Sequence, residues 1–256
     1  MSTSDQQQIA VVTGGNRGLG RSMALHLAER GTHVVITYRS GRAEAHAVVA
    51  SVEKAGGRGV ALELDVANVA SFGAFAEALG TELRAHFQRD RFDFLVNNAG
   101  IGIHAPFLNT TEAQFDALLA VHLKGPFFLT QTLLSLIADG GRILNLSTGL
   151  TRFTFPGYSA YAAMKGAVEV LTRYQAKELA ARRITVNTLA PGAIETDFGG
   201  GVVRDNPELN RAIASQTALG RVGLPEDIGR AVAMLLSPES GWITGQRIEA
   251  SGGQAL

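Results

Sequence analysis

Residues 9–31 have the pattern of a buried strand, a glycine-rich turn and a helix, and this order constrains the fold more than any other feature. Residues 9–13 form a short β-branched run, the turn is Gly14-Gly15-Asn16-Arg17-Gly18-Leu19-Gly20, and an apolar helical pattern continues to Gly31. Glycines let a backbone approach a pyrophosphate, and the N–H groups of a helix N-terminus attract the anion. Glycines also occur in tight turns that bind no ligand. It is therefore the location of this turn, between a buried strand and a helix, that indicates dinucleotide binding.

Strand-like and helical segments continue to alternate after this unit. Alternation at this spacing predicts an α/β fold with a parallel sheet and right-handed crossovers. The predicted strands are residues 33–37, 59–64, 92–96, 142–146, 183–187 and a last strand from 242–245 and 247–249; the predicted helices are residues 43–55, 69–87, 159–181 and 225–236.

Polar and glycine residues follow several of these strands. In such sheets ligands bind at the carboxyl ends of the strands. We therefore expect the glycine turn, Arg39, Asp65 and Asn98-Ala99-Gly100 to line one crevice.

The residues after the second strand bear on the choice of cofactor. An NAD-binding unit of this kind carries an acidic residue about 20 positions after the glycine turn, whereas this chain has Tyr38, 18 residues after Gly20, and then Arg39 and Ser40. A guanidinium binds a 2′-phosphate that a carboxylate would repel. The pattern favours NADP(H) over NAD(H), with Arg17 as a second cationic contact; the alternative is that both arginines are exposed loop residues.

Composition excludes several classes of protein. The 256 residues carry 23 basic and 23 acidic side chains, so no net charge points to nucleic acid or a membrane surface. There is no cysteine, and the six histidines have no metal-binding spacing, so we expect no metal. No leader or long apolar stretch is evident, which predicts a cytoplasmic protein. We expect one domain over residues 1–256, with residues 1–8 flexible.

Tyr161 and Lys165 are four residues apart in a helical segment. On a helix they share a face, with side chains about 5–6 Å apart at their roots. A neighbouring ammonium is expected to lower the tyrosine pKa and make it a usable general acid. The alternative is a packed ring beside a solvated amine. Tyr158 is seven residues from Lys165 and is the less suitable partner.

Taken together, these motifs resemble the short-chain dehydrogenase/reductase family over nearly the whole chain. The matches are Thr13-Gly14-x3-Gly18-x-Gly20, Asp65, Asn97-Asn98-Ala99-Gly100, Tyr161-x3-Lys165 and Pro191-Gly192. The resemblance implies a single-domain Rossmann fold with a doubly wound, seven-stranded parallel sheet in the order 3-2-1-4-5-6-7, and an NAD(P)-dependent oxidoreductase.

The resemblance also implies roles for individual residues. Tyr161 would exchange the proton at the substrate oxygen, and Lys165 would bind the ribose hydroxyls. The family's substrate-orienting serine falls on Thr148, whose hydroxyl can make the same hydrogen bond, with Ser147 pointing away. Its relay asparagine falls on His122, which would either continue the relay or satisfy a backbone carbonyl.

The remaining implied contacts are to the cofactor and to other molecules. A lid over the substrate is expected at residues 196–220, with a hinge at Gly199-Gly200-Gly201, and Phe153, Phe155, Phe198 and Val202 could make the pocket apolar. We expect a small-molecule partner and a homo-oligomer, a tetramer rather than a dimer. The expected cofactor-binding residues are Gly14, Asn16, Arg17, Gly18, Leu19, Gly20, Tyr38, Arg39, Ser40, Asp65, Val66, Asn98, Ala99, Gly100, Tyr161, Lys165, Pro191, Gly192, Ile194 and Thr196.

The sequence hypothesis is an NADP(H)-dependent carbonyl reductase or secondary alcohol dehydrogenase. Two alternatives stay open at this point. The first is a 3-oxoacyl-thioester reductase acting on an acyl carrier protein, for which Arg152, Arg173 and Arg204 are candidate basic contacts. The second is a non-catalytic NADP(H)-binding sensor, a reading kept open by Thr148 and His122.

Overall fold

The computed structural model describes residues 7–256, and these residues form a seven-stranded sheet with helices on both faces. The strand order is β3-β2-β1-β4-β5-β6-β7 and all six pairings are parallel, which confirms the predicted topology. The predicted flexibility of residues 1–8 falls mostly on residues 1–6, which lie outside the described residues. The strands are β1 Ile9–Val12, β2 His33–Tyr38, β3 Gly59–Glu63, β4 Phe92–Asn97, β5 Ile137–Leu146, β6 Thr185–Pro191 and β7 Arg247–Ala250.

Nine α-helices connect and flank these strands in the described part of the chain. They are α1 Gly18–Ala28, α2 Arg42–Lys54, α3 Phe72–Phe87, α4 Glu112–Leu119, α5 Gly125–Leu133, α6 Ser159–Glu178, α7 Val202–Asp205, α8 Pro207–Ser215 and α9 Pro225–Leu235. A π-helical turn, Ala120–Lys124, joins α4 to α5. Short 3₁₀ turns occur at Val69–Ser71, Phe107–Asn109, Leu134–Leu136, Gly149–Thr151, Ala180–Arg182, Phe198–Gly201 and Pro238–Ser240.

Each face of the sheet has its own apolar core. Successive strand residues point to opposite faces, so Ala10 and Val12 pack with α1, α2 and α9, whereas Ile9 and Val11 pack with α3 and α5. Strands covered on both faces are expected to be continuously apolar, and all four residues of β1 are buried. The two cores make the sheet rigid and fix the loops at its carboxyl edge.

The structure corrects several predicted boundaries in the second half. Strand β5 begins at Ile137 rather than 142, with a shift of register opposite Phe92 and Phe94. Strand β6 begins at Thr185 and runs on to Pro191, whose missing N–H is tolerated at a strand end. The last strand contains only Arg247–Ala250; Trp242 lies outside it and is fully exposed.

One helical run, Glu112–Leu136, is long and apolar enough by length and composition to cross a membrane. This run comprises α4, the π-helical turn, α5 and the 3₁₀ turn that follows. Its side chains Leu118, Val121, Leu129 and Leu133 are buried in the protein's own cores. Burial of this kind is what a core helix beside a sheet requires.

Candidate functional site

A cavity of about 690 Å³ opens at the carboxyl edge of the sheet. Its lining comes from the loops after β1 to β6, the start of α6, the segment of residues 196–216 and the C-terminal residues Gln254 and Ala255. Every residue predicted to bind the cofactor or to act in catalysis lines this one cavity, except Tyr38.

The glycine turn forms one end of the cavity. Gly14 and Gly18 have φ of +64° and +52°, the left-handed region that glycine occupies without strain. A Cβ on Gly20 would overlap the carbonyl oxygen of Gly14, so the turn closes tightly onto α1. The turn is therefore a tight connection that leaves the helix N-terminus open.

Neighbouring loops hold the glycine turn in place. Asn98 Nδ2 donates to the carbonyl oxygens of Thr13, at 2.8 Å, and Gly14, at 3.2 Å. Thr13 Oγ1 accepts the backbone N–H groups of Asn98 and Ala99, at 2.9 and 3.0 Å. The turns after β1 and β4 thus form one hydrogen-bonded unit.

The residues around this turn fit a dinucleotide. No side chain caps the N-terminus of α1, so its first-turn N–H groups lack the partner that an anion would supply. A Cβ on Gly18 would enter the space facing Thr196, at 3.7 Å from its side chain. Exposed Arg17 and Arg39 lie at the same opening.

Tyr38 does not line the cavity, because its side chain is buried in an apolar core, and its assignment to the cofactor stays a prediction. Strand β2 extends through Tyr38, so this side chain follows Val34 and Ile36 onto the face that packs against α1 and α2. Arg39, the next residue, leaves the sheet and is exposed at the cavity.

Tyr161 and Lys165 lie one turn apart on α6 and are both buried. Lys165 Nζ donates to the carbonyl oxygen of Leu146 at 2.6 Å and lies 5.8 Å from the centroid of the Tyr161 ring. Burial lowers the pKa of Lys165 to about 7, because the ammonium loses its water. The lysine is anchored at the end of β5 with its remaining hydrogens available to a ligand.

The predicted lowering of the Tyr161 pKa is wrong for this chain. Burial raises the pKa of Tyr161, a hydrogen bond with the Thr148 side chain acts in the opposite direction, and Tyr158 raises it further. Removing the phenolate from water outweighs the hydrogen bond from Thr148. Tyr161 therefore holds its proton as a phenol.

Thr148 is the second residue after the end of β5 and is buried beside Tyr161. Its Oγ1 accepts the N–H of Leu150 at 3.3 Å, and this contact begins the 3₁₀ turn Gly149–Thr151. Ser147 points to a different partner and donates to Glu169 Oε1 at 2.6 Å. Of the two hydroxyls, Thr148 is the one beside the tyrosine.

His122 lies in the π-helical turn and faces Tyr161 edge to face, with ring centroids 5.0 Å apart. Its Nε2 lies 2.8 Å from the carbonyl oxygen of Ile101 and 3.3 Å from the N of the same residue, and the shorter contact favours a ring hydrogen on Nε2. Its Nδ1 is buried and has no partner among residues 7–256. Burial, and then the charge of Lys165, lower the pKa of His122 to about 3, so the ring stays neutral.

The far end of the cavity is apolar and largely aromatic. Phe198 lies against Tyr161 at 5.6 Å between centroids, and Tyr158 lies between Phe155 and Tyr161 at 6.1 and 6.3 Å. The other apolar side chains lining this end are Leu150, Phe153, Val202, Val203, Leu209 and Ile213.

Sequence reasoning missed two groups of residues near the site. The C-terminal residues Gln254 and Ala255 line the cavity, and Gln254 Oε1 accepts the N–H of Ala193 at 2.9 Å. Glu169 and Arg247 form an ion pair behind Thr148, with Nε and Oε1 2.8 Å apart. No local motif marks either group, although Glu169 follows Tyr161 and Lys165 at the same spacing of four.

Comparisons with known proteins agree with this geometry. A family model described as enoyl-(acyl carrier protein) reductase, of the short-chain dehydrogenase/reductase type, matches residues 14–255. A hydroxynaphthalene reductase-like protein, Arp2 of Metarhizium brunneum, is 36% identical over 258 residues, which cover 96% of this chain and 94% of that protein.

Two solved structures resemble the whole chain. The promiscuous reductase LugOII, which catalyses keto-reduction at C1 during lugdunomycin biosynthesis, is 38% identical with a TM-score of 0.92, covering 98% of this chain and 99% of that one. The angucycline C-6 ketoreductase LanV with bound NADP is 37% identical with a TM-score of 0.91, covering 97% and 95%. The chain therefore belongs to the short-chain dehydrogenase/reductase family, and is an NAD(P)-dependent oxidoreductase that acts on C=O or CH–OH groups.

Proposed function

We propose that this protein is an NADP(H)-dependent ketoreductase that transfers hydride between the nicotinamide and a ketone or secondary alcohol on an aromatic ring system. The observation that carries the proposal is the meeting of Tyr161, Thr148 and Lys165 in the same cavity as the glycine turn. Proton donor, orienting hydroxyl and dinucleotide cradle thus share one space.

In reduction, Tyr161 is the general acid. Its hydroxyl is protonated at neutral pH, so Oη can donate its proton to the substrate oxygen as charge develops there. The Thr148 hydroxyl donates a second hydrogen bond to the same oxygen and fixes its direction. When bound, the cofactor supplies the hydride that reaches the carbonyl carbon.

Lys165 and His122 assist the general acid Tyr161 by binding the cofactor and by accepting a hydrogen bond in a proton relay. Lys165 uses one hydrogen at Leu146 and has others for the ribose hydroxyls. We assign to His122 Nδ1 the role of acceptor at the inner end of a relay, because it is a buried lone pair in the same cavity. The neutral ring does this without adding charge beside Lys165.

The cavity supports an aromatic substrate. Its apolar end presents ring faces and edges from Phe155, Tyr158 and Phe198 next to Tyr161. Aromatic pairs in offset or edge-on geometry each contribute about 0.5–1.5 kcal/mol beyond buried area. The names of two related proteins refer to hydroxynaphthalenes and angucyclines, and such substrates agree with the aromatic side chains at this end of the cavity.

NADP(H) is proposed over NAD(H) on the charge at the cofactor end of the cavity. Arg17 and Arg39 are exposed there, and neither takes part in an ion pair within residues 7–256. Guanidinium groups bind phosphate strongly. A bound NADP in a related ketoreductase supports the same choice.

The acyl-carrier alternative loses support because its basic contacts have other partners. Arg152 is paired with Glu249, and Arg204 with Asp197 and Asp205. Arg173 donates to the carbonyl oxygen of Glu169 on its own helix. The sensor alternative has no observation in its favour beyond the two departures at Thr148 and His122.

The experiment is NADPH oxidation measured by absorbance, with fused-ring aromatic ketones, keto esters, acetoacetyl thioesters and sugar-like ketones, each repeated with NADH. We expect turnover with the fused-ring ketones and NADPH. Preferred turnover of the thioester contradicts the aromatic substrate class, and tight NADPH binding without turnover of any ketone contradicts the enzyme assignment in favour of a sensor.

Assembly as a homotetramer and a cytoplasmic location stay predictions. Exposed apolar side chains support assembly, namely Phe107, Leu108, Phe115, Phe127, Phe128 and Trp242. Light scattering after size-exclusion chromatography gives the mass directly, and a monomer contradicts the prediction.

A further inference from the structure

The residue that extends the catalytic pair along α6 is Glu169. Tyr161, Lys165 and Glu169 are spaced by four, so all three lie on the same face of the helix. The Glu169 side chain is 15% exposed and points to the loop that carries Thr148.

One carboxylate oxygen of Glu169 accepts three hydrogen bonds. Oε1 accepts from Ser147 Oγ at 2.6 Å, Thr151 Oγ1 at 2.7 Å and Arg247 Nε at 2.8 Å. Ser147 and Thr151 flank Thr148 in the chain, one residue before it and three residues after it. The carboxylate therefore holds the loop on both sides of the residue that orients the substrate.

The side chain of Arg247, from β7, is hydrogen-bonded to the backbone of the same loop. Its Nη2 donates to the carbonyl oxygen of Thr148 at 3.3 Å. The Thr151 hydroxyl, whose single hydrogen is directed to Glu169 at the shorter distance, also lies 3.0 Å from that carbonyl oxygen. Arg247 Nη1 donates to Glu249 Oε2 at 2.9 Å. The backbone of Thr148 is thus hydrogen-bonded directly to Arg247.

The contacts continue to the C-terminal residues. Glu249 accepts from Arg152 Nε and Nη2 at 2.9 and 2.7 Å, and this pairing lowers the pKa of Glu249 to about 2. Arg152 Nη1 donates to the carbonyl oxygen of Ala255, which lines the cavity. The network therefore reaches from the catalytic helix to the chain end beside the site.

Charged hydrogen bonds with little solvent around them are strong and directional. Removing one member of such a pair leaves the other without its partner, so the groups attached to it shift. Here the attached groups are the loop residues around Thr148. A shift of about 1 Å in a positioning group can reduce turnover by about 100-fold.

We propose that Glu169 and Arg247 are positioning residues for the reduction: they fix the Thr148 hydroxyl and thereby the orientation in which the ketone is presented to Tyr161. This inference rests on the proposed function. It predicts effects on turnover and on product stereochemistry, with cofactor affinity unchanged.

The test variant is Glu169→Gln, which keeps the shape and removes the charge. We expect kcat with a fused-ring ketone to fall about 10- to 100-fold, the enantiomeric excess of the alcohol to fall, and the Kd for NADPH, from nicotinamide fluorescence, to stay within about twofold. A loss of stability alone would not change the stereochemistry of the product.

The matched control is Asp93→Asn. Asp93 pairs with Arg89, and both side chains are 16% exposed, against 15% and 24% for Glu169 and Arg247. Asp93 is at the start of β4, at the edge of the sheet opposite the cavity. We expect this variant to lose thermal stability while keeping parental kcat and enantiomeric excess.

A second variant, Thr151→Val, keeps the test decisive if Glu169→Gln does not fold. It removes the hydroxyl that donates to Glu169 and lies next to the Thr148 carbonyl, and we expect a smaller change in the same direction. Parental kcat and stereochemical purity in whichever variant folds would overturn the inference, as would an equal activity loss in Asp93→Asn. A parental chain that reduces no ketone overturns the proposed function as well, which separates the two failures.

Discussion

The two ends of the cavity are built in different ways. The cofactor end is made of turns after β1 to β4, whose geometry comes from glycines and from neutral hydrogen bonds that the Thr13 and Asn98 side chains make with neighbouring backbone groups. The catalytic end is made of side chains that meet across long sequence separations, such as Glu169 with Arg247 and Gln254 with Ala193. The cofactor end therefore consists of glycine turns held by neutral side-chain-to-backbone hydrogen bonds, whereas the catalytic end also depends on a charged pair of side chains.

This difference predicts which measurement each end controls. Substitutions at the cofactor end should change affinity and the preference for NADPH over NADH, because the contacts are made with parts of the cofactor that do not react. Substitutions at the catalytic end should change rate and orientation, because the contacts are made with the reacting atoms. The following variants test that division.

Tyr161→Phe should have the largest effect. It removes only the hydroxyl that donates the proton, a contribution of roughly 10²–10⁴-fold in rate for a general acid. We expect kcat to fall by about that factor and the Kd for NADPH to stay within about twofold. Steady-state kinetics and nicotinamide fluorescence measure the two quantities, and near-parental kcat would remove Tyr161 from the mechanism. Tyr158→Phe, which removes the hydroxyl of the neighbouring tyrosine, is the control, and it should keep most of the activity.

Arg39→Ala should produce the opposite pattern. The side chain is exposed at the cofactor end, and a hydrogen bond to a charged group contributes about 1.5–3 kcal/mol. We expect the Kd for NADPH to rise about 10- to 100-fold, with the Kd for NADH and kcat at saturation nearly unchanged. Arg84→Ala, an exposed arginine on α3, is the matched control. Equal loss of NADPH and NADH affinity would show that Arg39 does not bind a 2′-phosphate.

The same difference explains what the sequence could predict. The glycine turn and the Tyr161–Lys165 spacing are local patterns, so they can be read from the chain alone. The sheet order was implied by the family resemblance and is confirmed. Glu169 and Arg247 are 78 residues apart, and no local pattern pairs them.

Two differences have equally physical causes. Tyr38 was assigned to the cofactor because it is 18 residues after Gly20, where an NAD-binding unit carries an acidic residue; strand β2 extends through Tyr38, and its side chain packs in the core. The pKa of Tyr161 was expected to fall because spacing reveals a neighbouring lysine but not the burial of both groups, and burial dominates.

His122→Asn tests the charge balance at the catalytic end. The pKa of His122 is lowered to about 3, chiefly by burial, whereas in the unfolded chain it is about 6.5. The unfolded state therefore binds a proton below pH 6.5 that the folded state does not, so stability falls as the pH falls, by about 2 kcal/mol at pH 5.

We expect the melting temperature of His122→Asn to fall less between pH 7.5 and pH 5 than that of the parental chain. His46→Asn, at an exposed position on α2, controls for the substitution itself. An equal fall in melting temperature between pH 7.5 and pH 5 for the parental chain and for His122→Asn would mean that the ring accepts a proton in the folded state. That result contradicts a neutral relay group.

Gly200→Ala should have the smallest effect and tests the predicted lid. Gly199, Gly200 and Gly201 have φ of +62°, +79° and +77°, and a Cβ on Gly200 would meet no atom within 4 Å. The substitution therefore introduces backbone strain alone, about 1 kcal/mol, or about 2–4 °C in melting temperature for a chain of this size. Gly73→Ala, in the regular helix α3 and equally open, should raise the melting temperature instead. Thr196, at the start of the predicted lid, faces Gly18 at the cofactor end, whereas the hinge glycines come after it in the chain. If the strain opens the hinge, we expect the KM for the ketone to rise a few-fold while the Kd for NADPH does not. A rise in both would mean that the hinge also moves the part of the lid at the cofactor end, and the division between the two ends of the cavity would then fail at the lid.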